Sequence, residues 1–274
     1  MKDISFNDLY GLLNEIPIES SEKYLISIII PVYNEENTIL KLLMTLPVHD
    51  KIEVIVIDDK SNDNTILEIE KAFSSRRIKL YKHKKNEGYG RAILTGIKKS
   101  SGKIILTMDA DGQHLPEDIY GLVRPILDDH AEYTIGSRYL GSFHYQLPIP
   151  TRLGELLVEK LLIILFSQKV KNNQGGFRAF NRDIMHIFDN IQYQSFAFTT
   201  ELIIRAALYS YRIRECPIRL MDRVHGKSRI KLMKLGINII FCFLRYFLRK
   251  VKMKMFKEEK ISFNKTRQLL KEIK

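Results

Sequence analysis

Two cysteines, Cys216 and Cys242, are all that 274 residues contain, and they lie far apart outside any Cys-x-x-Cys pattern. That scarcity excludes a disulfide framework and a cysteine-rich zinc site, and it fits a reducing cytosolic setting. Long apolar runs are missing as well. The longest uncharged stretch near the C-terminus, Leu235 to Leu244, is ten residues, against the roughly eighteen that a membrane-spanning helix needs. Met1 to Tyr24 carries acids and lacks a basic stretch followed by an apolar core, so no secretory signal is expected. Neither an internal repeat nor a low-complexity segment interrupts the chain.

What is present describes an ordinary globular protein with an unusual charge. Hydrophobic residues make up 45% and charged residues 28%, while the formal net charge is +12. The length suits one large domain with an appendage. The charge implies attraction to something anionic: nucleic acid, an acidic membrane surface or a phosphorylated substrate.

Strand and helix patterns alternate from Ile26 onward. Ile26 to Pro31 and Val54 to Ile57 are short β-branched runs that read as buried strands. Between them Ile39, Leu40, Leu42 and Leu43 mark a helix over 36–46, completing a βαβ unit. The pattern continues with a helix over 64–73, a strand over 78–81, a helix over 90–99, a strand over 103–108, a helix over 117–127 and a strand over 133–136. An irregular loop is expected from Ser137 to Pro150 and an apolar helix over 153–166. Residues 1–24 read as a helical extension ending near Pro17. Such alternation predicts an α/β fold with a mostly parallel sheet covered on both faces, whose ligands gather beyond the carboxyl ends of the strands.

Four polar clusters fall at those strand ends: Tyr33-Asn34-Glu35, Asp58-Asp59, Asn86-Glu87-Gly88 and Asp109 to Gln113. The last carries most information. Asp109 and Asp111, spaced i, i+2 at the end of an apolar strand, project from one face. Oxygen ligands so placed suit Mg²⁺ or Mn²⁺ held against a diphosphate. An isolated Asp-x-Asp is more often a polar turn, and Asp58-Asp59 alone would serve as a helix cap. The recurrence of such clusters on one rim favours a site. His83, His114 and His225 are not spaced as metal ligands, and His114 is expected to line the site.

Ile30-Pro31-Val32-Tyr33-Asn34-Glu35, Asp58-Asp59-Lys60-Ser61-Asn62-Asp63, Asn86-Glu87-Gly88, Asp109-Ala110-Asp111-Gly112-Gln113-His114, Gly136-Ser137-Arg138-Tyr139, Gly176-Phe177-Arg178 and Arg223-Val224-His225-Gly226-Lys227-Ser228-Arg229 occur in that order. Together they resemble a family 2 glycosyltransferase of the Rossmann-like GT-A fold, near the dolichol-phosphate mannose synthases and related polyprenyl-phosphate glycosyltransferases. The resemblance spans about 25–230, implying a catalytic domain there and a separate C-terminal segment over 231–274. It implies inverting transfer of a sugar from a nucleotide diphosphate sugar, GDP-mannose or UDP-glucose, to a polyprenyl or dolichyl monophosphate. Pro31, Tyr33, Glu35 and Asp59 would hold the base and ribose, Asp109, Asp111 and Gln113 a Mg²⁺ or Mn²⁺ ion, and Arg223 and Arg229 the donor diphosphate. Arg138 and Arg152 would receive the acceptor phosphate, with Asp111 close to the chemistry. No general base is required, because a lipid phosphate is already anionic. Three departures from the family pattern stand out: Asn172 and Gly175 where an acid and a serine are common, Arg229 in place of lysine, and Gly112 in place of leucine.

The C-terminal segment carries its own signal. From Arg245 to Lys274 eleven Lys or Arg face three acids, a net +8. Upstream, Leu232, Leu235, Ile239, Phe243, Tyr246 and Phe247 fall near one helical face, widened by Ile240, Leu244 and Leu248. Either an interfacial helix on anionic lipid or a helix packed on the protein's own core satisfies this pattern. A lipid-linked substrate favours peripheral attachment to the cytoplasmic face of a membrane. Two other functions fit parts of the sequence: a related transferase with a different saccharide or lipid acceptor, and a non-catalytic basic nucleic-acid-binding protein. Against the second, no RNA-binding signature or aromatic-basic interleaving accompanies the charge, so no nucleic-acid partner is expected.

Overall fold

The apolar runs form the parallel heart of a sheet: β1 (Tyr24–Val32), β2 (Ile52–Asp58), β3 (Ile78–Lys82) and β4 (Gly102–Thr107). In the computed structural model, which describes residues 6–17, 23–73, 77–143, 149–194, 197–222 and 235–254, three further strands complete it. These are β5 (Tyr133–Phe143), β6 (Arg178–Asn181) and β7 (Ile213–Leu220), and the order across the sheet is β3-β2-β1-β4-β6-β5-β7. Only β6 runs antiparallel to its neighbours β4 and β5, so β4, β5 and β7 all point the same way as β1. Six carboxyl ends therefore share one rim.

Both faces of the central sheet are covered, which is why β1, β2 and β4 are almost continuously apolar, whereas β3 and β7 towards the edges alternate. Ile28, Ile30 and Val32 of β1 enter one core with Leu9 and Leu13 of α1 (Phe6–Glu15), Leu42 of α2 (Ile39–Thr45), Ile69 of α3 (Thr65–Ala72) and Leu122 of α5 (Ile119–Leu127). Ile29 points the other way. It joins Ile93 of α4 (Tyr89–Lys99), Leu162 of α6 (Ile149–Phe166), Ile203 of α7 (Ala197–Leu208) and Phe243 of a helix over residues 235–254 (α8).

Two expectations change. The segment read as a loop from Ser137 is strand as far as Phe143, while residues 144–148 lie outside the described residues, and α6 begins at Ile149 rather than 153. The physical reason is a break in register: Ser137 pairs with Pro217, yet the next paired residue, Ser142, meets Arg219. Residues 138–141 bulge from the sheet, and Gly141 permits it because a Cβ there would run into the Ile218 backbone. The elements β6, α7 and β7 were not legible as regular structure in the sequence. Cys216 and Cys242 are free and buried, and burial pushes the Cys216 thiol up to about 11. Among the described residues no helix is long and apolar enough to cross a membrane.

Candidate active site

Register brings the rim clusters to one level. Ile29 of β1, Thr107 of β4, Arg178 of β6 and Ile135 of β5 are paired in a row. Pro31, Asp109 and Ser137 each lie two residues farther along, so the acids and the Arg138 turn stand on the same edge. With strands about 4.8 Å apart, the backbones near Asp109 and Ser137 are roughly 10 Å apart across β6.

The first two loops are tied to each other before anything binds. Asn34, in the left-handed region at φ 56°, donates its backbone N–H to Ser61 Oγ (2.9 Å) and accepts from Asn62 N–H (2.7 Å). Glu35 N–H donates to Thr65 Oγ1 at 2.7 Å. Pro31, Tyr33 and Glu35 remain half-buried on this rim. Neither Asp58 nor Asp59 caps α3, whose N-cap position is Asn64; just before it, Asp63 accepts the Thr65 N–H at 3.0 Å. Asp59 turns inward instead, accepting the N–H groups of Glu87 and Gly88 at 2.8 Å each and lying 2.8 Å from His83 Nδ1. It thereby fixes the third cluster to the second.

The fourth cluster holds the acids. Gly112 sits at φ 76°, a conformation glycine adopts freely and leucine only with strain. The turn it makes lets Asp111 Oδ1 accept the Gln113 N–H at 3.1 Å. Gln113 is held at both ends, its side-chain amide donating to Met221 O (3.0 Å) and its own carbonyl accepting from Met221 N–H (2.9 Å). That leaves the Gln113 side-chain oxygen as an acceptor. Asp109 is set against the Gly176 backbone and hydrogen-bonded by the Tyr89 hydroxyl, at the start of α4. Burial pushes its carboxyl above the usual range; His114 opposes this, the Asp111 charge adds to it, and Tyr89 and Arg178 oppose it further.

Asp109 Oδ1 is buried without a hydrogen-bond partner among the described residues, as are His114 Nδ1, Ser137 Oγ and Asn172 Oδ1. Buried polar atoms are rarely left so, and a clustered set on one rim marks a place for a polar ligand. Two carboxylates and an amide oxygen suit a hard divalent cation, which would relieve the cost of the buried Asp109 charge. No group of three or more His, Cys, Asp or Glu residues arranged for a metal occurs among the described residues, so the remaining ligands would be the Gln113 oxygen, substrate oxygens and water. His114 is buried with its ring 4.9 Å from that of Phe177.

The arginines divide into three kinds. Arg178, 2% exposed, is a cross-brace whose guanidinium donates to Gly175 O, Asn173 O, Thr199 O and the Tyr133 hydroxyl. Arg138 and Arg152 come together although 14 positions separate them: their guanidinium carbons lie 5.2 Å and 4.1 Å from the centroid of the Tyr139 ring. Glu155, 3% exposed, pairs with both and was not singled out by the sequence. Its signal was there: 155, 158, 162 and 166 form the buried stripe of α6, and a carboxylate in an apolar stripe needs a partner. Arg223 and Arg229 lie outside the described residues, which resume only at 235.

Comparison with known proteins identifies the family and the fold. The model of glycosyl transferase family 2 matches residues 27–188. A UDP-N-acetylglucosamine–dolichyl-phosphate N-acetylglucosaminyltransferase of Methanococcus voltae is 30% identical over 245 residues, 83% of this chain and 98% of its own length. A dolichol-phosphate mannosyltransferase of Pyrococcus furiosus is 29% identical over 234 residues, 83% of this chain and 64% of its own length. Among solved structures, glucosyl-3-phosphoglycerate synthase from Mycobacterium tuberculosis, in complex with Mn²⁺, UDP and glucosyl-3-phosphoglycerate, superposes with a TM-score of 0.63 at 20% identity. That likeness covers 81% of this chain and 80% of the other, and it carries the GT-A fold alone.

Proposed function

The chain belongs to glycosyl transferase family 2, and from that premise we propose that it moves a hexose from a nucleotide diphosphate sugar to a polyprenyl or dolichyl monophosphate, with inversion and with Mg²⁺ or Mn²⁺. The observation that carries the reading is the unpartnered Asp109 oxygen beside Asp111, on the same rim as the Arg138–Arg152 pair. The acceptor class is supported by two relatives whose names specify dolichyl phosphate or dolichol phosphate. As a glycosyltransferase the chain is an enzyme, so the non-catalytic nucleic-acid-binding alternative gives way.

Asp109, Asp111 and Gln113 are the residues that would hold the cation. Once bound, the ion supplies positive charge against the departing nucleotide diphosphate. Pro31, Tyr33 and Glu35 line the end of the rim suited to base and ribose, and Asp59 supports it by fixing the Glu87–Gly88 backbone. Arg223 and Arg229 are the donor-diphosphate residues of this reading.

Arg138 and Arg152 present forked donors to the acceptor phosphate and hold one of its oxygens in line with the anomeric carbon. That oxygen forms the new bond as the anomeric C–O bond to the diphosphate breaks, and the electron pair leaves with the nucleotide. Because the attacking oxygen is already anionic, no side chain has to remove a proton.

The test incubates purified protein with Mn²⁺, a polyprenyl phosphate and a panel of radiolabelled donors that includes UDP-N-acetylglucosamine, UDP-glucose and GDP-mannose. Label is expected in the organic phase with one of them and is expected to vanish when Asp109 and Asp111 are both replaced by alanine. Full turnover in that double variant would remove the metal assignment.

A further inference from the structure

Glu155 is the carboxylate on which both acceptor-site arginines converge. Its Oε1 pairs with Arg138 Nη2, and its Oε2 accepts from the Tyr139 hydroxyl and lies 4.0 Å from Arg152 Nη1. The arrangement joins two elements. Arg138 and Tyr139 come from the bulge of β5, whereas Arg152 and Glu155 belong to the first turns of α6, on the far side of residues 144–148. Glu155 is itself held from behind, since its backbone carbonyl accepts from Asn173 Nδ2 at 3.1 Å.

The charges explain why such a residue is needed. Arg138 is only 9% exposed, and a guanidinium so buried requires a counter-ion. One carboxylate against two guanidiniums leaves a net positive charge, so the cluster still attracts an anion. The Tyr139 ring, faced by both guanidiniums, limits where they can swing. Loss of the carboxylate would leave two like charges to repel each other about that ring.

We propose that Glu155 is a positioning residue for the acceptor: it sets the spacing and aim of Arg138 and Arg152 so that a phosphomonoester is received in line with the donor sugar. The inference rests on the acceptor reading of those two arginines given above. It assigns Glu155 no contact with substrate and no proton transfer.

The test measures KM for donor and for a short-chain polyprenyl monophosphate separately, with the full chain and Mn²⁺. Glu155→Gln keeps the shape and removes the charge. Acceptor KM is expected to rise about tenfold, the order expected when one charge-assisted contact holding the arginines is weakened, while donor KM stays within about twofold. A purely structural role would move both constants or the folded fraction, not the acceptor constant alone. Should Glu155→Gln fail to fold, Tyr139→Phe takes its place, because it removes one hydrogen bond from the carboxylate and leaves every charge intact; a rise in acceptor KM of about threefold is then expected. An unchanged or lowered acceptor KM in the folded variant overturns the proposal, the lowered value meaning that the carboxylate competes with the phosphate. The Arg138→Ala, Arg152→Ala double variant separates the two claims. If it loses donor and acceptor affinity equally, the acceptor reading falls and this inference with it. If it loses acceptor affinity selectively while Glu155→Gln behaves as wild type, only the inference falls.

Discussion

A Cβ at Gly176 would overlap both carboxylate oxygens of Asp109, so the acid occupies space that only a glycine backbone leaves open. Asp109 has little freedom to retreat, because the Tyr89 hydroxyl holds it and the chain beneath is anchored by Met108 N–H on Ile29 O at 3.0 Å. Gly176→Ala should therefore displace the carboxylate rather than unfold the protein. Transfer is expected to fall about a hundredfold, the scale associated with a displacement of roughly 1 Å at a reacting centre, and the Mn²⁺ concentration needed for half-maximal activity should rise. Gly154→Ala is the matched control, since nothing lies within 4 Å of a Cβ there. Equal activity in the two variants would show that the position of Asp109 is immaterial. Gly112 teaches the complementary lesson: its positive φ, not the space around it, is what selects glycine.

At the scale of elements, the edge of the sheet opposite the site depends on one buried acid. Glu53 of β2 accepts from Ser27 of β1 at 2.6 Å, from Lys79 of β3 at 2.5 Å and from Ser101, just before β4, at 2.6 Å. Burial works to raise its carboxyl, but the bonds from Lys79, Ser27 and Ser101 together hold it below its ordinary value of 4.5. A lowered value in the folded state means that the carboxylate stabilises the fold fully above pH 4.5 and loses that contribution as pH falls through the folded value. Glu53→Gln should cost about 2 kcal/mol at pH 7, a typical loss for charge-assisted bonds. The gap from wild type should close on acidification, read as thermal midpoints across pH; a constant gap would contradict the linkage. Much at this scale was legible in the sequence, because β-branched runs such as Ile26 to Ile30 have no other stable use than a covered strand. The β5 bulge was not, since Gly141 and Tyr139 look like loop residues until β7 is laid beside them. Nor was β6, whose four residues are too few to carry a pattern. Asp109 and Asp111 stood out by spacing but gained weight only from the other clusters at the strand ends, whereas Glu155 took meaning only from the chain fold that set it between two arginines.

For the whole molecule, α8 packs one face on the protein's own core, as one reading of the C-terminal segment expects, and leaves the opposite face exposed. Ile239, Cys242, Phe243 and Tyr246 are buried against α6 and α7, with Tyr246 donating to Glu201 at 2.5 Å. Ile240, Phe241, Leu244 and Leu248 are more than half exposed on the opposite side, alongside the cations Arg245, Arg249 and Lys252. Leu153, Leu157 and Ile164 of α6, the helix that also bears Arg152, are similarly exposed. Apolar side chains with a cationic border suit the headgroup region of an anionic bilayer, and an acceptor with an isoprenoid tail would then meet its arginines at that surface. Removing 231–274 would be a poor test, because it would also strip the core of Phe243 and Tyr246. Replacing Ile240, Leu244 and Leu248 together with glutamine leaves the buried face intact. Binding to vesicles of neutral lipid doped with an anionic phospholipid is expected to weaken at least tenfold, since each exposed aliphatic side chain offers on the order of 1 kcal/mol even when only partly inserted. The thermal midpoint should scarcely move, and turnover of a short-chain acceptor in detergent should persist. Undiminished vesicle binding by this variant would transfer the attachment to some other surface, and loss of folding would mean that the outward face of α8 is not outward at all.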